Sequence, residues 1–122
     1  MTDPFYTAAK ASDQVLALLG APEPRLYPWG ENDDATVAYP YGTWLQIGGG
    51  PDNVLAGRPA SDRRTLQIDV WGQTADSTEA AAEALRDAIE PHCYLTSWRK
   101  FPRDTDTRLY RISFDTDWNT SR

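Results

Sequence analysis

Near the N-terminus the apolar positions recur at three- and four-residue steps: Phe5, Ala8, Ala9, Val15, Leu16 and Leu19, with Ser12 on the same stripe. That spacing predicts one amphipathic helix, opened by Asp3 as N-cap and Pro4 at the first helical position. Gly20, followed by Pro22 and Pro24, ends it, because glycine accepts a left-handed C-terminal position and proline cannot continue the ladder. A short extended piece, Arg25 to Trp29, follows.

The period then changes to two. Pro40 to Ile47 reads as a strand with Tyr41, Thr43, Leu45 and Ile47 on one side and Trp44 and Gln46 on the other. The glycine- and proline-rich run from Gly48 to Asp62 reads as a long loop. Arg64 to Gly72 alternates cleanly, with Leu66, Ile68 and Val70 facing one way and Thr65, Gln67, Asp69 and Trp71 the other. Asp76 with Glu79 resembles a capping box and opens a helix striped by Ala81, Leu85, Ala88 and Ile89. Pro91 stops that helix near Glu90, and Cys93 to Trp98 and Leu109 to Trp118 alternate as two more strands. In the last, Tyr110, Ile112, Phe114, Thr116 and Trp118 share one side.

Strands joined without an intervening helix pair antiparallel, and two helices with one apolar stripe each cover a single sheet face. The expected fold is α+β: a two-layer sandwich with two helices on one face of a mostly antiparallel sheet. The uncovered face is expected to carry Trp44, Gln67, Asp69 and Trp71, a mixture too apolar to leave wholly in water. At 122 residues the chain fits one domain, 1–122, which buries roughly two-thirds of its unfolded surface.

Charge and composition narrow the function classes. Hydrophobic residues make up 40% and charged residues 25%, ordinary globular usage, while the net charge of −6 opposes nucleic-acid binding as a main task. No apolar run reaches the ~18 residues of a membrane span. The first ten residues lack the order of a signal peptide, so a cytoplasmic chain is expected. Cys93 is the only cysteine and His92 the only histidine, which excludes an intrachain disulfide and a thiolate metal cage within one chain.

Candidate chemistry is sparse. Asp69, Asp115 and Asp117 stand on strands facing away from the expected core and could hold a hard cation, although solvated strand-face charge is the commoner state of such groups. His92 beside Cys93 places a base next to a nucleophile, but strand neighbours point to opposite faces and a lone thiol usually sits buried. Gly48 to Gly50 lack the helix, lysine and hydroxyl of a phosphate loop. The cluster Trp98, Arg99, Lys100, Phe101 and Arg103 suits a hairpin tip with cation–π pairs or a protein contact, and five tryptophans suit interfaces. No catalytic set, cofactor site or metal site is expected.

The ordered run Tyr39-Pro40-Tyr41-Gly42-Thr43-Trp44-Leu45-Gln46-Ile47, a loop with Gly57-Arg58, then Leu66-Gln67-Ile68-Asp69-Val70-Trp71-Gly72 and an alanine-rich helix resembles the tail terminator (tail-completion) family of long-tailed bacteriophages. The resemblance covers about Arg25 to Trp118, with a preceding helix that also matches. It implies a ring, usually of six copies, at the head-proximal end of the tail tube. Such a ring ends tube polymerisation and meets the head connector. On that basis Asp52, Asn53, Val54, Leu55 and Arg58 are expected to meet the tube protein, and Trp44, Trp71, Trp98, Arg99 and Phe101 to form ring contacts. Assembly in the host cytoplasm and residence in the virion tail or neck are expected, with no membrane partner. Six copies at −6 each carry −36, so DNA is expected to pass the lumen without specific binding. Two alternatives stand beside this one: a head-closure or connector component of the neck, and a small metal-dependent enzyme using Asp69, Asp115 and Asp117.

Overall fold

The computed structural model describes residues 3–28, 38–51, 57–58 and 61–121. Along these the chain runs α1 (Pro4–Lys10), α2 (Asp13–Leu19), β1 (Leu26–Pro28), β2 (Tyr41–Pro51), β3 (Ser61–Gly72), α3 (Ala75–Ile89), a 3-10 turn (Glu90–His92), β4 (Tyr94–Phe101) and β5 (Tyr110–Ser121). The strands form one sheet in the order β1-β2-β3-β5-β4. Every pairing is antiparallel except β1 on β2, and the fold is α+β as expected.

The N-terminal stripe makes two helices rather than one. Ser12 leaves helical geometry, at φ −94° and ψ 123°, and its hydroxyl accepts from the Val15 amide, so α2 starts with its own cap. Asp3 caps α1 as expected, accepting from Phe5 N at 2.9 Å. The α3 cap is Thr74, which accepts from Ser77 N at 3.1 Å, and Asp76 instead adds first-turn charge. A threonine hydroxyl two residues upstream had the better reach to an orphan amide.

The expected loop at Gly48–Asp62 is shorter than its composition suggested. Gly48, Gly49 and Gly50 pair with Thr65, Arg64 and Arg63, and Pro51 with Asp62, so the β2–β3 ladder runs on past a bulge between Gln46 and Gly48. Gly49 sits at φ +131°, and a Cβ there would run into the Arg63 carbonyl, so glycine is what lets the two backbones meet. Residues 52–56 and 59–60 of that run, like Trp29, lie outside the described residues.

The core lies between the helices and one sheet face. Trp44, Ile68, Phe114 and Trp98 stand opposite one another across β2, β3, β5 and β4, and form one continuous row. Phe5 from α1 rests on this layer, 5.1 Å from Trp44 and edge-on to Trp118 at 6.5 Å. On α3, Ala81, Ala82, Ala84, Leu85 and Ile89 are buried, and the small alanines let the helix lie close to its neighbours. At the β3–α3 corner a Cβ on Gly72 would collide with the Thr78 hydroxyl, which itself donates to Thr74 O at 2.7 Å. The outer side of α3 carries Asp76, Glu79, Glu83 and Asp87, with Arg86 as the only cation of the helix.

This arrangement corrects one expectation. Trp44 is 4% exposed and packs under Phe5 and Tyr6, not on the uncovered face. The alternation of β2 was read one residue out of phase, because Leu45 and Ile47 are as apolar as a core position requires. They are instead exposed, at 37% and 48%. Phe5→Ala is expected to lower the free energy of unfolding in urea by about 3–5 kcal/mol, and Phe5→Leu by about 1 kcal/mol, since the first empties the contact with both tryptophans.

Candidate functional site

No helix covers the second face of the sheet among the described residues, and its rows can be followed strand by strand. Tyr41, Trp71, Arg111 and Phe101 form the first row; Thr43, Asp69, Ser113 and Arg99 the second; Leu45, Gln67, Asp115 and Ser97 the third; Gly48, Thr65, Asp117 and Tyr94 the fourth. Of the expected ring contacts, Trp71, Arg99 and Phe101 therefore share this face. Trp98 stands on the helix side, stacked on Phe114 at 5.0 Å with the Arg86 guanidinium 5.3 Å above it. Trp44 is buried, as described.

The first row is aromatic with one cation inside it. Tyr41 stacks on Trp71 at 5.4 Å, and Tyr27 and Tyr39 extend the group at 6.1 and 5.5 Å from Tyr41. Arg111 lies 4.5 Å from the Phe101 ring and 5.6 Å from Trp71, and its guanidinium donates to Asp69 Oδ1 at 3.2 and 3.3 Å. This row, with Pro102, Asp104 and Leu109 from the following loop, lines a cleft of about 490 Å³. The loop is held by Asp104, whose carboxylate accepts from the amides of Asp106 and Thr107 at 2.8 and 2.9 Å. Those amides, Thr107 first, keep the Asp104 carboxyl below its ordinary pKa. Of the hairpin cations, Arg103 lies over the Tyr110 ring at 5.9 Å, while Arg99 and Lys100 pair with Asp115 and Glu79; Arg111, in an alternating strand, has nothing local to mark it.

The middle rows satisfy their own charges. Arg99 donates to both carboxylate oxygens of Asp115 at 3.2 Å and to Ser113 and Ser97 at 3.1 and 2.7 Å. The hydrogen bond to Asp115 raises the guanidinium further above its usual pKa. Gln67 donates to Asp69 Oδ2 at 3.0 Å, and Thr65 to Asp117 Oδ1 at 2.6 Å. Asp69, Asp115 and Asp117 are thus each engaged by a different side chain. Among the described residues no three carboxylate, histidine or cysteine groups gather as cation ligands.

The remaining candidates lie apart from this face. Arg58 is exposed, while Asp52, Asn53, Val54 and Leu55 lie outside the described residues. His92 is exposed in the 3-10 turn, and Cys93 precedes β4 rather than lying within a strand. The Cys93 thiol donates to Ile89 O at 3.3 Å, and burial, then the charges of Glu90 and Asp117, push its pKa up to about 11. No helix of the described residues is long and apolar enough to cross a membrane.

Two predictions follow from these contacts. Because a raised pKa keeps the thiol protonated, alkylation of Cys93 by iodoacetamide at pH 8 should be about a hundredfold slower than that of a free cysteine. Its rate should keep climbing about tenfold per pH unit past pH 9, where a free thiol levels off. Arg111→Met leaves the nearly buried Asp69 carboxylate without its cation and is expected to lower stability by about 1–3 kcal/mol. Adding Asp69→Asn should recover part of that loss, which a double-mutant cycle in urea measures.

Comparison with known proteins fits this architecture. Over 97% of its length the chain superposes on 92% of a chain from the structure described as "Virion of native gene transfer agent (GTA) particle", with a TM-score of 0.65 and 15% identity, a likeness of fold. No curated protein matches the sequence. The family model described as "Tail completion protein gp17" matches residues 4–121, nearly the whole chain. The chain belongs to the tail completion protein gp17 family and is a structural protein of bacteriophage tails.

Proposed function

We infer that six copies of this chain form a ring at the head-proximal end of the phage tail tube, where the ring ends tube polymerisation and presents the surface that joins the head. The observation that carries this reading is the family match across residues 4–121. The uncovered sheet face supports it, since Trp71, Arg111 and Phe101 give that face the aromatic and arginine content of an interface rather than of a solvated surface. Assembly takes place in the host cytoplasm, and the ring resides in the tail or neck of the virion.

In this reading the segment joining β2 to β3, with Asp52, Asn53, Val54, Leu55 and Arg58, meets the last ring of the tube. Trp71, Trp98, Arg99 and Phe101 contribute to contacts between copies, while buried Trp44 supports them from below. The tube stops growing because the ring's far side does not copy the tube's growing end. DNA crosses the lumen without being held: Arg99 and Arg111 are already paired with Asp115 and Asp69, which weakens the pull of the open face on phosphates.

Phage made without this chain should accumulate tails of uncontrolled length that fail to join heads, seen by electron microscopy of negatively stained lysates. Free tails of normal length beside heads that leak DNA would overturn the reading in favour of a head-closure component.

A further inference from the structure

Among the described residues the sheet has two unlike edges. At one end β4 is the terminal strand, and at the other β1 covers β2 only at Gly42, Thr43 and Trp44. From Leu45 to Pro51, β2 therefore pairs with β3 alone among the described residues. Exposed backbone edges of this length invite a further strand unless they are short, charged or covered. The described large hydrophobic side chains that stay exposed are Tyr39, Leu45, Ile47, Tyr94 and Phe101. All of them lie on β2 or β4 or just before β2, and none on the central strands. Tyr94 is the extreme case at 80% exposure.

Strand direction makes the two edges complementary. Since β2–β3, β3–β5 and β5–β4 are each antiparallel, β4 runs opposite to β2. Rotating a second copy about an axis along the strands keeps its directions, so its β2 would lie antiparallel to the first copy's β4, continuing the pattern of the sheet. Cyclic symmetry adds no shift along the axis. The row Gly48, Thr65, Asp117, Tyr94 then sets the level at which copies meet. Tyr94 to Ser97 of one copy falls beside Leu45 to Gly48 of the next, which sets exposed Tyr94 level with Gly48 and next to exposed Ile47 at the bulge.

We propose that neighbouring copies join by strand addition between the Tyr94–Ser97 half of β4 and the Leu45–Gly48 stretch of the next copy's β2, with Tyr94 packing on Leu45 and Ile47. This rests on the ring reading and specifies its contact. The joint is heterologous, because two different edges meet, and so it propagates from copy to copy until the circle closes.

The test uses tails assembled with a chain carrying Ile47→Cys and Tyr94→Cys in a Cys93→Ser background, treated with a short bismaleimide. Covalent multimers up to the full ring are expected on denaturing gels, and only monomers from either single-cysteine chain. Tyr94→Asp should reduce ring occupancy on purified tails at least tenfold while the thermal midpoint of the free subunit stays unchanged. Rings visible by electron microscopy whose double-cysteine chains remain monomeric would overturn the strand joint and leave the ring reading standing. Dimers from Tyr94→Cys alone would overturn it too, since like edges would then be meeting. Tails that carry no ring of the unsubstituted chain would end both.

Discussion

Side chains of a strand alternate between faces, and the whole architecture depends on how that alternation is divided. One face of the sheet receives Trp44, Ile68, Phe114 and Trp98 and is closed by α1, α2 and α3. The other must then be stable in water without a covering layer, and it achieves this by pairing its own charges. Arg99 with Asp115 and Arg111 with Asp69 neutralise one another on a surface where either member alone would be partly stripped of solvent. The open face is consequently a set of fixed contacts, and the apolar groups left over are pushed to the margins of the sheet.

The sequence was most legible where a strand is central. Leu66, Ile68 and Val70 can only alternate one way, and β5 likewise, because each is flanked by partners on both sides and its polar residues are unambiguous. Edge strands broke the rule. In β2 both phases are apolar, with Trp44 and Leu45 adjacent, so hydrophobicity alone could not say which faces the helices. The deciding partner, Phe5, lies 39 positions away on α1 and is invisible to any local window. The division of the first helix was hidden similarly: Ser12 fits a helical stripe by spacing, and only its cap geometry shows that it starts a second helix.

The interface candidates divide along the same line. Trp71 was readable as outward from the clean alternation of its strand and Arg99 and Phe101 only as members of a cationic and aromatic cluster, whereas Arg111 and the exposed Tyr94 have nothing local to mark them. Their meaning comes from topology. The order β1-β2-β3-β5-β4 places Gly48 and Tyr94 on opposite sides of the sheet at one height, with Leu45 level with Ser97. Another strand order with the same composition would not bring these side chains to the same level.

The acidic outer side of α3 has a kinetic consequence. Asp76, Glu79, Glu83 and Asp87 share one side of the helix; Lys100 of β4 pairs with Glu79 and Arg86 with Asp87, which leaves Asp76 and Glu83 as its uncompensated charges. Two molecules approaching helix to helix repel once they come within a screening length, about 8 Å at physiological salt. Charge of one sign left on that side therefore opposes helix-to-helix contact between two molecules, and does so more strongly at low salt.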